Sequence, residues 1–537
     1  MRPQPGDGPA AKRGSTPRKS PLAPRSVIAH RRAVSRSVSA VVHETDLRPA
    51  TPLWTVDQVS EVLELQRRAQ LESGPPSRAL RADRLDRLGA ALAEHADRIV
   101  RAISADFGNR PLSGALAGEV LLQLEEIRAT KRSLRAWMAP HRPQPRYVRA
   151  AGVQAWVEPT PLGVVGVISP WNFPVALSVQ PAIAAIAAGN RVMIKMSEMT
   201  PRTGEALRTA LAERFAVEEL AVVCGELDVA VAFSALPFDH LFFTGSSAVA
   251  KQVSRAAAAN LTPVTLELGG KNPTVVGTGA DIAKAAKRIV TARLANSGQI
   301  CLSPDYVFVP RNLTGQFLDA AEKACRAALP TLLDNGDVCT IINNKHYQRI
   351  CALIEDARGR GAALRQVIPP GEQTPPPATR RIPFTLISGI TDDMGIMHEE
   401  IFGPVLPVIG YDDIAEVIDF VNARPIPLAA YWFGPDSPAF RTYAARTRSG
   451  GMTRNDFALH ASVPGLPFGG VGASGTGYYH GRYGFDTFSH MRAFAVSPAL
   501  FSPVALLSPP FNSRLEKTLA AVVAIWGRRF VKRSRRR

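Results

Sequence analysis

The chain has 537 residues, 46% hydrophobic and 20% charged, with a net charge of +18. That is a globular composition, too apolar for a disordered protein and too charged for an integral membrane one, and long enough for about two to four domains. The charge sits at the ends: residues 1–50 carry +7 and 514–537 carry +8, leaving +3 for the body, which argues against a nucleic-acid-binding core.

Residues 1–50 hold Pro, Arg, Ser and Ala without periodicity and read as a disordered basic extension. They are Arg- and Ser-rich, as transit peptides are, but no compact apolar segment precedes a small-residue cleavage site, so no secretory signal is expected. Residues 55–139 are helical in pattern, and over 79–104 Leu80, Leu85, Leu88, Leu92, Ile99 and Ile103 recur at helical spacing. A Pro/Arg-rich break follows at 140–150. The stretch 174–189 is apolar but holds Ser178, Gln180 and Pro181, so it reads as buried core rather than a membrane span.

From 156 onward short apolar strands alternate with helices. GVVGVIS (163–169), RVMIK (191–195) and HLFFTG (240–245) read as strands. Helices start at Thr200–Pro201, with Thr200 as N-cap, and at Ser246. TPVTLEL and NPTVVG read as further strands, and 281–296 (capped by Asp281) and 314–329 as helices. Such alternation predicts a parallel α/β sheet. The Pro/Gly stretch 369–377 reads as a surface loop.

Five cysteines, at 224, 301, 325, 339 and 351, are widely spaced with no CxxC pair. This argues against a disulfide framework or a structural zinc site and fits a reducing, cytoplasmic compartment; no metal is expected. Cys301, in NSGQICLSP, offers a nucleophilic thiol. Glu267, in LELGGK, ends a strand before two glycines, where a buried carboxylate can serve as a general base. Asn172, in SPWNFP, follows a strand and can donate to an oxyanion. Lys195 and Glu198, in IKMSE, stand at a strand end facing the ligand crevice of an open sheet. Gly245 and Ser246 open a helix whose free N–H groups can hold a pyrophosphate. Taken singly, each residue has an ordinary structural meaning: a core thiol, a strand-end acid, a turn Asn, a helix cap. GVGASG (470–475) matches GxGxxG but follows no strand and opens no amphipathic helix, so it reads as a Gly-rich loop near the active site.

Together and in this order the motifs PLGVVGVISPWNFP, IKMSE, FFTGSSAVA, LELGGKNP, NSGQIC, EEIFGP (399–404) and PFGGVGASGTGYYHG (467–481) resemble those of the NAD(P)-dependent aldehyde dehydrogenase superfamily, over roughly 55–500. The last motif, with GRYGFDTFSH, is similar to the coniferyl aldehyde dehydrogenase and class 3 branch. The resemblance implies a Rossmann-type cofactor domain (51–145 and 159–268), an α/β catalytic domain (269–455), bridging strands near 146–158 and 486–500 that extend a sheet across a homodimer, and a basic tail (501–537). It also implies roles. Cys301 attacks the aldehyde, Asn172 and the Cys301 N–H hold the oxyanion, and Glu267 activates water. Lys195 and Glu198 hold the adenine-side ribose, Trp171 and Ser246 lie by the pyrophosphate, and Glu400 and Phe402 position the nicotinamide end. Glu198 favours NAD over NADP. Two departures, Met196 where the family has Pro and Ala250 where many members have Gly, remove no reacting group.

The expected substrate is an aromatic or phenylpropenal aldehyde resembling coniferaldehyde, with a medium- or long-chain aliphatic aldehyde as the alternative. Transfer of the acyl group to coenzyme A instead of water is a further alternative, disfavoured by Glu267. Residues 514–533, read as a helix, align Leu515, Leu519, Val522, Val523, Trp526 and Phe530 in a stripe beside basic residues. This stripe suits either peripheral contact with an anionic membrane or docking on protein. A lipid- or polyanion-binding protein acting through its basic ends is the non-enzymatic alternative.

Overall fold

The computed structural model describes residues 54–150, 152–498, 502 and 508–534. The basic extension read over 1–50 lies outside them.

Helices fill the N-terminal segment, as the periodicity predicts. The pattern over 79–104 resolves into two helices, Arg78–Glu94 and Ala96–Phe107, broken at His95, which ends one and starts the next. Their apolar faces, with Leu85, Leu88, Ile99 and Ile103 fully buried, pack into the largest core cluster. A π-helical turn, Leu116–Leu121, leads into the helix Leu122–Trp137.

Among the described residues fifteen strands follow. They begin with β1 (Gln154–Pro161), β2 (Val164–Ile168), β3 (Arg191–Lys195), β4 (Leu220–Val223) and β5 (His240–Gly245). Next come β6 (Val264–Leu268), β7 (Pro273–Val276), β8 (Tyr306–Pro310), β9 (Ala363–Val367) and β10 (Phe384–Ser388). The last are β11 (Val405–Tyr411), β12 (Ala429–Phe433), β13 (Gly451–Arg454), β14 (Gly475–Thr476) and β15 (Ser489–Val496).

A six-stranded sheet has the order β14-β6-β5-β2-β3-β4, parallel except for the short edge strand β14. The chain runs outward from β2 to β4 and then returns to the other side of β2 with β5. The crevice above the carboxyl ends of β2 and β5 is therefore a topological switch point, where open α/β sheets bind ligands. The helix Ala176–Ala188, almost wholly buried, and the helix Ser247–Ala258 start at these two strand ends. A seven-stranded sheet has the order β13-β12-β7-β8-β11-β10-β9, with only β9 antiparallel. The fold is thus α/β with two mainly parallel sheets, as the strand–helix alternation predicts.

β1 and β15 form a separate antiparallel ribbon, from Gln154 opposite Val496 to Pro161 opposite Ser489, with Trp156 stacked on Phe494 at 5.3 Å. The strands begin later than the sequence suggests, since Arg146–Ala150 is a helical turn and Gly481–Thr487 is helical up to the start of β15. Pro145 and Gly152 punctuate the first of these boundaries.

The helix predicted at Thr200–Pro201 spans Pro201–Ala212, but the Thr200 hydroxyl makes no capping bond to it and points instead toward the Ser197 carbonyl. Ser246 and Asp281 do cap their helices, accepting from Val249 N and Lys284 N. The tail helix runs Ser513–Ser534, and its stripe of Leu519, Val522, Val523, Trp526 and Phe530 is exposed. Among the described residues no helix is long and apolar enough to cross a membrane.

Candidate active site

One cavity of about 280 Å³ gathers residues from both sheets. Trp171 and Asn172 come from the loop after β2, and Thr244, Gly245 and Ser246 from the end of β5. Glu267 and Gly269 come from the end of β6. The segment entering β8 contributes Cys301, and the one entering β11 contributes Glu400 and Phe402. Of the site residues read from sequence, Lys195 and Glu198 do not line this cavity. They stand at the end of β3, with Lys195 buried and its Nζ donating to the carbonyls of Met196 (2.7 Å) and Gly225 (2.8 Å), and Glu198 exposed.

Glu267 is buried, and neither carboxylate oxygen has a hydrogen-bond partner among the described residues. Burial alone holds its carboxyl well above the usual range of 4.5. The Cys301 thiol is likewise pushed up by burial, and the charges of Glu400 and Glu267 add to the shift. At rest the site therefore favours neutral forms of both groups, and Glu267 acquires proton-accepting capacity only once its carboxyl ionises.

Asn172 is held on both ends. Its Nδ2 donates to the Gln299 carbonyl at 3.2 Å, which leaves its second N–H available. Its own carbonyl accepts from Arg110 at 2.9 Å and from Asn296 Nδ2 at 3.3 Å. Asn296 and Ser297 have φ of 49° and 51°, a strained left-handed turn in the segment that leads to the thiol. The Cys301 carbonyl is fixed by Asn272 Nδ2 at 2.7 Å, and the next carbonyl, of Leu302, by the Tyr431 hydroxyl at 2.7 Å.

Glu400 packs on glycine: a Cβ on Gly269 would fall 2.0 Å from its Oε2. Burial, then Asp305, pushes its carboxyl up to about 8, while the Gly270 N–H and Arg293 pull it back. Lys271 pins the start of the EEIFGP loop, donating to the Glu399 carbonyl (3.1 Å) as well as to Asp305 (2.5 Å) and the Ile396 carbonyl (2.7 Å). Arg349 donates to the carbonyls of Glu400 and Ile401. Phe402 has a left-handed φ of 51° and meets Trp171 edge-on at 5.4 Å.

Sequence reasoning missed Thr244, His346 and Arg349, which also line the cavity. His346 packs tilted against Trp171 at 5.0 Å and is kept neutral, with burial lowering it to about 4. Its signal was local: Asn343 caps the helix Asn344–Gly359 by accepting from His346 N. Thr244 Oγ1 is buried and without a partner among the described residues, next to a helix N-terminus opening on the cavity. An orphaned hydroxyl, free N–H groups and two aromatic rings on one wall fit a phosphate-linked, ring-bearing cofactor.

A sequence model of the aldehyde dehydrogenase family matches residues 47–494. The chain belongs to that family, whose members are NAD(P)-dependent enzymes oxidising aldehydes. It is similar to a probable coniferyl aldehyde dehydrogenase of Caulobacter vibrioides, 44% identical over 87% of this chain and 96% of that one. It is equally similar to a coniferyl aldehyde dehydrogenase of a Pseudomonas species, 44% identical over 84% of this chain and 94% of that one. The solved structure of a substrate-bound Staphylococcus aureus aldehyde dehydrogenase, AldH, superposes with a TM-score of 0.80 at 33% identity, covering 86% of this chain and 99% of that one.

Proposed function

We propose that this enzyme oxidises an aromatic or phenylpropenal aldehyde to its acid through a covalent adduct on Cys301. The observation that carries the reading is the meeting of three groups on one cavity wall: the Cys301 thiol, the Asn172 amide and the unpartnered Glu267 carboxylate. The sulfur adds to the carbonyl carbon as the thiol proton passes to solvent, directly or by way of Glu267, which is left ionised for the next step. Asn172 Nδ2 and the Cys301 N–H receive the developing oxyanion. The dinucleotide, when bound, supplies the acceptor for the hydride that leaves the adduct, and a thioester remains on Cys301. Glu267 then takes a proton from water as it attacks the thioester, and the Cys301 thiolate departs and is reprotonated. Thr244, Gly245, Ser246 and Trp171 would hold the pyrophosphate, Lys195 and Glu198 the adenine-side ribose, and Glu400 and Phe402 the nicotinamide end.

An aromatic substrate is supported by the similarity to coniferyl aldehyde dehydrogenases. NAD preference is supported by the acidic surroundings of Lys195, where Glu198, Glu226 and Asp228 all act on its charge and would repel a 2′-phosphate. The six-stranded sheet would carry the cofactor, the seven-stranded sheet the nucleophile, and the ribbon of β1 and β15 a homodimer contact. A cytoplasmic setting is supported by the five free cysteines. The exposed stripe around Trp526, flanked by Arg528 and Lys532, supports peripheral contact with an anionic membrane.

The test is cofactor reduction by the full-length protein and by Cys301→Ala against aryl, alkenyl and aliphatic aldehydes, with and without coenzyme A. The reading requires the variant to be inactive, aryl or alkenyl aldehydes to give the higher kcat/KM, and free acid to form without coenzyme A. Binding to anionic vesicles that persists after removal of 514–537 would overturn the membrane contact.

A further inference from the structure

A buried ion pair outside the cavity bears on the Asn172 amide. Arg110 and Glu119 meet at 2.8 Å, with side chains 4% and 0% exposed. Neither lines the cavity. Glu119 sits on the π-helical turn Leu116–Leu121, and such turns commonly mark functional sites. Its Oε2 accepts from the backbone N–H groups of Val175 (3.1 Å) and Ala176 (2.8 Å) at the start of the helix that follows SPWNFP. Arg110 donates to the Asn172 carbonyl at 2.9 Å and lies over the rings of Phe107 and Phe173, 5.2 and 4.5 Å from their centroids. The loop Pro170–Pro174 is thus gripped from beneath at its middle by Arg110 and at its exit by Glu119.

Two buried charges are a costly way to hold a loop for stability alone, since an apolar pair of similar volume is often as stable or more so. A guanidinium fixed between a carboxylate and one carbonyl does what an apolar pair cannot: it sets the height and tilt of the Asn172 peptide. The side-chain amide is only three bonds from that carbonyl carbon, so small shifts of the peptide carry directly to Nδ2. We propose that Arg110 and Glu119 are positioning residues that aim the Asn172 amide at the oxyanion formed on Cys301. This rests on the reading of Asn172 as an oxyanion donor.

The experiment is a double-mutant cycle in the full-length enzyme. Removing Arg110 alone strands a buried carboxylate, so the change to Arg110 is made as Arg110→Met together with Glu119→Gln, which leaves no buried charge, and separately as Arg110→Lys, which keeps one beside Glu119. The paired change should lower kcat about tenfold to a hundredfold, the range for a small misplacement of a catalytic group. KM for cofactor and aldehyde should stay within about twofold, because the lost contact acts only in the transition state. In an Asn172→Ala background the same change should cost less than about twofold, since Arg110 then has no amide to aim. Arg110→Lys should fall between the paired change and wild type. A loss that is equally large in the Asn172→Ala background, or a lowered melting temperature with kcat intact, would overturn the positioning role. If Asn172→Ala itself keeps full kcat, the oxyanion reading fails first, so the two failures are distinguishable.

Discussion

Glu267 on β6 and Gly475 on β14 face each other across the antiparallel edge pair of the six-stranded sheet. The Gly-rich loop that mimics a dinucleotide fingerprint in sequence is thus laid along the strand that carries the unpaired carboxylate, shielding it from water. Gly475 has a φ of 151°, and a Cβ there would fall 2.3 Å from the Leu266 carbonyl oxygen. Only glycine allows this approach. Gly475→Ala should push β14 off the edge, admit water to Glu267, and let its carboxyl fall toward the ordinary range. The expected outcome is a kcat about tenfold lower, as for other small displacements around a reacting group, with the acid limb of its pH profile, set by ionisation of Glu267, moved to lower pH. Steady-state rates across pH check both; an unchanged limb would show that β14 does not shelter Glu267.

Glu267→Gln separates catalysis from stability. The folded-state value of the carboxyl is raised above 4.5, so the neutral form is the one the fold favours. Below the unfolded value both states are protonated and nothing is lost. As pH rises the unfolded chain ionises first, and stability drains by about 1.4 kcal/mol per pH unit until the folded value is reached. Gln at this position has no such drain. The melting temperature of Glu267→Gln should match wild type near pH 4 and exceed it increasingly as pH rises toward the folded value, while kcat falls about 10²–10⁴-fold with the loss of the base. A constant offset across pH would contradict the burial argument.

Asn172→Ala removes one of two oxyanion donors and should cost about 10²–10³ in kcat, with cofactor affinity preserved. Cofactor binding by fluorescence titration, set beside kcat, tests this. A change in affinity without one in kcat would make Asn172 a structural loop residue.

The proposed reacting groups were legible in the sequence through the motifs that resemble the aldehyde dehydrogenases, and each stands at a strand end or loop entry of an α/β sheet, where side chains can converge. Cys301, Glu267 and Asn172 arrive in one cavity for that reason. The supports beneath them were not legible. Glu119 lies in SGALAGEVLLQ, where helical periodicity would bury the leucines. The π-helical turn shifts the phase instead, so Leu116, Leu121 and Leu122 are about half exposed while Glu119 and Gln123 are fully buried. Similarly, no periodicity announces the break at His95, and Thr200 looks like a cap by residue type yet turns its hydroxyl away. Lys195 and Glu198 were grouped with the site by their strand-end position, but that end lies further along the sheet, at β3, outside the central cavity.

That separation makes a prediction about cofactor choice. Lys195 is spent on two carbonyls, and its charge is surrounded by Glu198, Glu226 and Asp228. A ribose hydroxyl can donate to Glu198, whereas a 2′-phosphate would bring like charge against it. Glu198 is exposed, so replacing it should leave the fold untouched. Glu198→Gln keeps an acceptor for the hydroxyl and removes the repulsion. It should raise kcat/KM for NADP about tenfold and change that for NAD by no more than about threefold, the size expected for one charge contact at a partly solvated site. Kinetics with both cofactors decide it. If the variant gains nothing with NADP, Glu198 does not discriminate between the two cofactors.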